Sequence, residues 1–467
     1  MTNNETIMLQ KFGKIEAKYE PNATDVDDYD PHEYRNISHP ITNTETLIHI
    51  FKGSLGIGIL AMPDAFRNAG IVSGFIFTIL IGTLCTYGLH ILVQAQYILC
   101  KRKRVPLLTY PDSMKAALLS GPRIFHAFAN ASSILVDTFL VMYQLGICCG
   151  YVIFVAASFK RLIDTYLSED LSIVLYALFL LIPFILILSV PNLKWLAPFS
   201  LFSNVITFVC FGIVLYYIFN DLPSISERSY VGAFYTFPLY FGTTFFALEA
   251  IGVVIVLESN MKTPKSFGGS FGVLNVSMFC IILLNVGIGF LGYWRYGDET
   301  HSSVILNFPL EDTLAKIVQG LYSLAIFISY GLQGYVPVDI LWNTYLAHRF
   351  SDSKYPKLWE YLLRAVTVFV TFALAISMPR LGIFISLFGA FALSALGIVF
   401  PAIMEICVKW PNDLGAGNWI LIKDIALIAV GICSLLFGIY SCALEMNIGF
   451  SSIQFHSIQY YLFMLQK

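Results

Sequence analysis

The stretch Gly53-Ser54-Leu55-Gly56-Ile57-Gly58, followed by Pro63, lies within an apolar run that extends from residue 46 to residue 69. Glycine is a poor helix former, and unwound backbone at membrane depth is tolerated only where it lines a cavity or is packed in protein. The stretch therefore predicts a membrane helix that unwinds near its middle. The N–H groups freed at the start of the second half-helix suit an anionic group such as a substrate carboxylate. Close helix packing through small residues is the alternative explanation.

The composition is typical of a membrane protein. The 467 residues are 57% hydrophobic and 12% charged, with a mean hydropathy of +0.72, whereas a soluble chain carries about 25% charged residues. The net charge of −2 gives no basic excess that would indicate nucleic acid as a partner. The nine cysteines form no CxxC pair, so neither a disulfide framework nor a metal site is indicated.

Apolar runs of roughly 20 residues or more, long enough to cross a bilayer as helices, recur along the chain. We expect an all-α integral membrane protein with about eleven transmembrane helices. The predicted spans are 46–69, 71–99, 125–159, 171–190, 196–219, 236–259, 270–294, 314–346, 360–378, 381–407 and 424–445.

The positive charges in the predicted loops indicate which terminus lies inside. With a cytosolic N terminus, eighteen lysines and arginines fall on the inner side and eight on the outer side, as the positive-inside rule expects. The run Lys101-Arg102-Lys103-Arg104 contributes most to this difference, and it also suits contact with anionic lipid. We predict a disordered cytosolic tail over 1–44, a transmembrane transporter domain over 45–446 and a short non-cytosolic tail over 447–467.

A second interruption, Phe246-Ala247-Leu248-Glu249-Ala250-Ile251-Gly252, lies in the sixth span with Glu249 at mid-depth. A charged group in the bilayer costs about 2.5–3.5 kcal/mol on insertion scales, so Glu249 is expected to be protonated or hydrogen-bonded, in a functional or a purely structural role. Spans one to five and six to ten then form a 5+5 inverted repeat, with the eleventh helix as an addition. A ligand is expected near the midplane, between the two breaks.

Three further polar residues lie in predicted spans. His49 precedes the glycine stretch by about one helical turn, and histidine is the side chain that most often exchanges a proton near physiological pH. This position suits a proton carrier, and a polar anchor at the membrane interface is the alternative. Asp137 in the third span and Asp339 in the eighth are candidates for a proton relay or for hydrogen bonds within the bundle.

No motif supports an enzyme or an ATP-driven pump. The sequence Gly268-Gly269-Ser270-Phe271-Gly272 matches GxSxG, but a nucleophile elbow needs a preceding strand and here an apolar helix begins behind a loop. The sequence contains no zinc-ligand spacing and no Walker loop.

Many ordered motifs together carry a family resemblance. They are Leu47-Ile48-His49-Ile50-Phe51-Lys52-Gly53, Gly58-Ile59-Leu60-Ala61-Met62-Pro63 and Asn68-Ala69-Gly70 in the first span, Val136-Asp137 with Gln144-Leu145-Gly146 and Cys148 in the third, Phe246-Ala247-Leu248-Glu249 and 258–262 in and after the sixth, Gly292-Tyr293 and Tyr296-Gly297-Asp298 at the end of the seventh, and Leu332-Gln333 with Tyr335-Val336-Pro337 in the eighth. With these motifs, residues 45–445 resemble the proton-coupled amino acid transporter family, a branch of the amino acid/auxin permeases within the amino acid-polyamine-organocation superfamily.

The resemblance implies a LeuT-like fold with helices 1 and 6 broken, cotransport of protons with small neutral amino acids, and a role for His49 in proton coupling. Three residues depart from the family pattern. Ile57 stands where threonine is usual, Ser54 where asparagine is frequent, and Val256 where proline is common. The missing hydroxyl at Ile57 bears on substrate range, because buried polar partners discriminate strongly between substrates.

The sequence therefore predicts a secondary transporter with a midplane substrate site. Its predicted binding residues are Gly53, Ser54, Gly56, Ile57, Gly58, Phe246, Ala247, Leu248, Glu249 and Gly252, with the proton as coupling ion and no metal or organic cofactor. The alternatives are an amino acid sensor that signals through a cytosolic partner of the N-terminal tail, and a sodium-coupled carrier. The plasma membrane and the endolysosomal (vacuolar) membrane are both compatible with the sequence.

Overall fold

The computed structural model describes residues 29–35, 37, 40–54, 56–164, 171–190, 193–220, 222–248, 251–351, 353–378 and 380–465. Side chains are not described for residues 52, 193–198, 200 and 445–465. In chain order, the helices longer than seven residues are α1 (Asn43–Ser54), α2 (Ile57–Ala69), α3 (Ile71–Lys103), α4 (Tyr110–Ser120), α5 (Ala129–Asp164), α6 (Ile173–Leu188), α7 (Leu193–Phe219), α8 (Phe237–Leu248), α9 (Ile251–Ser259), α10 (Val273–Tyr296), α11 (Thr313–Asp339), α12 (Pro356–Ser377), α13 (Leu381–Lys409) and α14 (Trp419–Leu465).

The described residues form an all-α membrane protein, as predicted. Nine of their helices are long and apolar enough to cross a bilayer, and the shorter α6 is also apolar. The first predicted span is occupied by the pair α1 and α2. Large apolar side chains cover the outside of the bundle, among them Phe179, Ile182 and Phe437, each more than 60% exposed. Such a surface is rare on a soluble monomer and suits contact with lipid.

The interior positions the first and sixth spans side by side. Helices α5 and α11 pack along each other, and α2 packs against α8 and α10. Helix α8 is fixed in turn by α13, because a Cβ on Gly389 would lie 1.9 Å from the carbonyl oxygen of Gly242. Only glycine permits this approach. The C-terminal end of α8 is therefore held beside the start of α2.

Both ends of the chain differ from the domain boundaries expected from sequence. The tail was predicted to be disordered through residue 44, whereas the structure places residues 29–35 against the helices, with Arg35 in a buried ion pair. A short tail was predicted after residue 446, whereas α14 continues to Leu465. No proline interrupts the sequence from Trp419 to Leu465, and proline is the residue that most strongly ends a helix.

Candidate substrate site at the broken first helix

The first membrane helix is interrupted at the predicted glycines. Gly56 has extended backbone, with φ −105° and ψ −156°, and α2 begins at the next residue. The Tyr322 hydroxyl donates a hydrogen bond of 3.2 Å to the Gly56 carbonyl oxygen. This bond gives a partner to a backbone carbonyl that lies at the interruption of the helix. Gly56 offers no side chain to cap α2, which leaves the N–H groups of the first turn of α2 available to an anion.

The start of α2 meets the end of α8 directly. A Cβ on Gly58 would lie 2.8 Å from the Cα atom of Ala247 and 3.2 Å from Cδ1 of Phe246. Leu248, the last residue of α8, is fully buried. The structure thus brings Gly58, Phe246 and Ala247 together, although they are far apart in the sequence. Any larger residue at position 58 would force α2 and α8 apart.

Helices α1 and α9 also meet. The centre of the predicted interruption in the sixth span, residues 249 and 250, lies outside the described residues. A Cβ on Gly53 in α1 would lie 3.1 Å from Cγ2 of Val253 in α9, so α1 pairs with α9 as α2 pairs with α8. Gly252 is exposed, and a Cβ added to it would meet nothing within 4 Å, so it takes no part in this contact. The predicted site residue Glu249 lies outside the described residues, and its role stays a prediction.

Ser54 and Ile57 flank the break but turn toward protein. The Ser54 hydroxyl donates to the carbonyl oxygen of Ile50 at 3.3 Å, within its own helix. The Ile57 side chain is 1% exposed and packs on α5, where a Cβ on Gly150 would lie 2.7 Å from its Cδ1 atom. A Cβ on Gly146, one turn earlier, would overlap the Phe388 ring. Gly146 and Gly150, which have GxxxG spacing, therefore serve close packing.

Sequence reasoning missed the polar side chains near the break as site residues. The Tyr151 hydroxyl lies 3.7 Å from the position of a Cβ on Gly56, and it is hydrogen-bonded to the Gln333 side chain. Gln144 donates to Gln333 in turn. A signal was present, because amide side chains in apolar spans of α5 and α11 are uncommon and usually hydrogen-bond across helices.

The remaining predicted polar residues lie elsewhere in the bundle. His49 is half-buried in α1, close enough to Glu45 to interact with its charge. Asp137 accepts a hydrogen bond of 2.7 Å from the Tyr345 hydroxyl, and Asp339 accepts one of 2.7 Å from Asn343. Each acid is thus bonded to a neutral side chain. The part of the chain that the structure describes holds no cluster suited to a metal ion.

Asp64 is an intramembrane acid that the sequence analysis did not single out. It lies in α2, is 5% exposed and forms a 2.5 Å ion pair with Arg67. Arg67 also donates to the Thr300 carbonyl oxygen at 2.6 Å. A Cβ on Gly382 would lie 2.7 Å from Oδ2 of Asp64, so the start of α13 closes over the carboxylate. This acid directly follows Pro63 within the apolar run, and that position was the available signal.

A model of the family described as "Transmembrane amino acid transporter protein" matches residues 39–444. The chain belongs to this family. The transporter is 40% identical over 434 residues to "Proton-coupled amino acid transporter-like protein pathetic" of Drosophila melanogaster, with 91% of each chain covered. It is 23% identical over 414 residues to "Probable amino acid transporter skat-1" of Caenorhabditis elegans, with 86% of this chain and 89% of that protein covered. These relatives are transporters and not enzymes.

Two solved structures share the fold of this transporter. One is Mhp1, a nucleobase-cation-symport-1 family transporter, in a closed conformation with bromovinylhydantoin bound. It superposes with a TM-score of 0.50 at 14% identity, and the match covers 90% of this chain and 93% of that chain. The inward-facing conformation of Mhp1 gives a TM-score of 0.53 at 11% identity, covering 88% and 93%. At these identities the likeness shows the LeuT-like fold alone.

Proposed function

We propose that this transporter moves small neutral amino acids by proton symport, with alternating access to a site between the broken first helix and the sixth span. One observation carries the proposal: the extended backbone at Gly56 lies where the start of α2 meets the end of α8. The substrate carboxylate would bind the N–H groups from Gly56 to Gly58, at the positive end of the α2 dipole. The ammonium group would bind carbonyl oxygens near Ala247 and Leu248.

The side chains described beside the break favour a neutral substrate. Tyr151, Gln144, Gln333 and Tyr322 offer hydroxyl and amide groups to a ligand, and none of these four carries a charge. A charged substrate side chain would lose its hydration without gaining a partner of opposite charge among them. Close packing at Gly58 favours a small substrate.

His49 is the proposed proton carrier. It lies in α1 about one turn before Gly53, and histidine suits proton exchange near neutral pH. The name of the Drosophila relative, a proton-coupled amino acid transporter-like protein, supports the same coupling ion here. A sodium-coupled carrier is the competing mechanism, and replacement of sodium during uptake distinguishes the two.

The second candidate function is an amino acid sensor that signals through a cytosolic partner of the N-terminal tail. It is favoured by the ordered contacts of residues 29–35 with the helices, since a conformational change in the bundle would reach this segment. Both candidates assume a cytosolic N terminus, in the plasma membrane or an endolysosomal membrane. Deletion of residues 1–28 separates the two candidates. If amino acid flux is unchanged but a cytosolic partner no longer binds, sensing is favoured. If flux is unchanged and no cytosolic partner binds the full-length protein either, transport is the remaining function.

Uptake by proteoliposomes tests the transport proposal. Radiolabelled glycine, alanine and proline are offered at acid and neutral outside pH, with the membrane potential clamped. Uptake of at least one of them, faster at acid pH, is the expected result, and equal rates at both pH values would exclude proton coupling. His49→Ala should remove the pH dependence, whereas the matched variant His126→Ala should keep it, because His126 is exposed at the end of the short helix Arg123–His126 and bonded to the Gly121 carbonyl.

A further inference from the structure

The described residues before α1 lie across one end of the bundle. We call residues 29–35, 37, 40 and 41 the strap. Ile41 pairs with the backbone that follows α9: its N–H donates to the Asn260 carbonyl at 3.0 Å, and its carbonyl accepts from the Lys262 N–H at 2.8 Å. Ile41, two residues before the start of α1, is thus joined to the residues just after α9.

Arg35 makes the buried contact of the strap. Its guanidinium lies 3.0 Å from Oε1 and 3.3 Å from Oε2 of Glu258, and it also donates to the Glu258 carbonyl at 3.2 Å and to the Pro106 carbonyl at 3.4 Å. The two charged side chains are only 7% and 8% exposed. Charges buried to this extent persist when they are paired with good geometry, and the loss of one partner leaves the other uncompensated.

Weaker contacts surround this pair. Lys265 forms a 2.7 Å ion pair with Asp30, and the Lys265 side chain is 68% exposed. The His32 ring stacks on Tyr97 of α3 with a centroid distance of 4.8 Å. The strap therefore links α3, the end of α9 and the loop after α9, with Arg35–Glu258 as its buried centre.

Under the proposed alternating access, helices α1 and α9, which the strap joins, separate to open one side of the site. Helices α1 and α9 both lead from the break to the end of the bundle where the strap lies, and they touch at Gly53 and Val253 near the break. Most of α1 is poorly buried, with Ile48 51% exposed. The strap holds the outer ends of this pair together, at the point farthest from the break.

We propose that Arg35 is a positioning residue for transport, because its ion pair with Glu258 holds α9 to the strap and to the start of α1. This ion pair breaks when the site opens toward the side of the membrane that carries the N terminus. This inference rests on the proposed function, because alternating access is what gives the Arg35–Glu258 pair a closed state, in which it is formed, and an open state, in which it is broken. A purely structural role would leave the accessibility of the break unchanged when the pair is removed.

Two thiols report whether the lock opens. Native Cys100 is 2% exposed and lies close enough to Arg35 and Glu258 to interact with both charges, so it reports release of the strap. Ser54→Cys, at the break and 8% exposed in the native serine, reports opening of the path. The full chain in proteoliposomes is treated with a membrane-impermeant maleimide on the N-terminal side, and labelling of each cysteine is followed by peptide mass spectrometry.

The wild-type strap is expected to protect both thiols. Arg35→Ala, Glu258→Gln and the double variant Arg35→Ala/Glu258→Ala should each label roughly tenfold faster or more at positions 54 and 100. The exchanged pair Arg35→Glu/Glu258→Arg should recover much of the protection. Lys265→Ala is the matched control on the same strap, and it should stay within about twofold of wild type because exposed ion pairs contribute little.

Each result decides the proposal. Unchanged labelling of both thiols in a monodisperse Arg35→Ala protein overturns the proposal. Faster labelling at Cys100 without faster labelling at position 54 also overturns it, because the strap would then detach without opening the path to the break. If a single variant fails to fold, the double variant and the exchanged pair give the same decision. A wild type that takes up no amino acid contradicts the proposed function but leaves the labelling result intact, so the two failures are distinguishable.

Discussion

The two halves of the first membrane helix differ sharply in how they are held. In α2, eleven of thirteen residues are buried, including Phe66. In α1, the buried residues are Thr46, Ile50 and Ser54, and the side chain of residue 52 is not described. The half beyond the break is thus part of the rigid core, while the half before it is less buried and is held by the strap and by contacts with α9 and α10. A broken helix lets one span contain both a fixed and a movable element.

Truncation of a phenylalanine in each half should show the largest difference. Phe66 in α2 is fully buried, and α3 and α10 approach it closely at Gly74 and Gly289, so Phe66→Ala should lower the free energy of unfolding by about 3–5 kcal/mol. Phe51 in α1 is only half-buried, so Phe51→Ala should cost much less. Thermal unfolding in detergent measures both, and equal losses would contradict the contrast between the halves.

The same substitution at one glycine of each half gives the next largest effect. Gly58→Ala places a methyl group 2.8 Å from the Cα of Ala247, and overpacking of this kind costs about 1–3 kcal/mol. Gly53→Ala meets only the Val253 side chain, at 3.1 Å, and a small shift of that side chain relieves it. We expect uptake to be lost in Gly58→Ala and retained in Gly53→Ala. Retained uptake in both would show that the α2–α8 contact does not form the site.

Asp64 tests whether proton coupling is confined to α1. Its carboxylate is buried against Arg67 and the start of α13 in the fixed half, so Asp64→Asn should cost about 1 kcal/mol of stability, because Arg67 is partly exposed to water. The ratio of uptake at acid and neutral pH should stay at the wild-type value. A ratio that falls to one in Asp64→Asn would instead place a proton-carrying group in α2.

The strap should release α1 more readily at acid pH. Burial, and after it the Arg35 guanidinium, lowers the pKa of His32 to about 4. Although burial acts to raise it, the hydrogen bonds from Lys265 and from the His32 N–H lower the pKa of Asp30. A detached His32 binds a proton near pH 6.5, so the released strap binds more protons, and docking weakens as the pH falls from about 6.5 to about 4.

Cys100 labelling measures this pH dependence. The rate, divided by that of free glutathione at the same pH, should rise on acidification by less than about tenfold per pH unit. The charged and titratable groups that face His32 are Asp30, Arg35, Lys265 and Tyr97. His32→Gln should flatten most of the profile and leave the smaller contribution of Asp30. A normalised rate that does not change with pH would contradict the prediction.

The sequence by itself determined the all-α membrane class and the approximate positions of most apolar spans, because apolar run length is a local property of the chain. It also predicted an interruption within Gly53–Gly58, where the structure has extended backbone at Gly56. It also indicated the family through ordered motifs. Only the tertiary structure decided which groups meet: Gly58 against Ala247, Ile57 on Gly150, and Arg35 on Glu258, which is 223 residues away. Such contacts depend on how whole helices pack, and the sequence around a residue in an apolar run does not identify the distant residue that it will contact. Residues 29–35 show this most clearly, since this part of the predicted tail is ordered where a buried carboxylate pairs with Arg35.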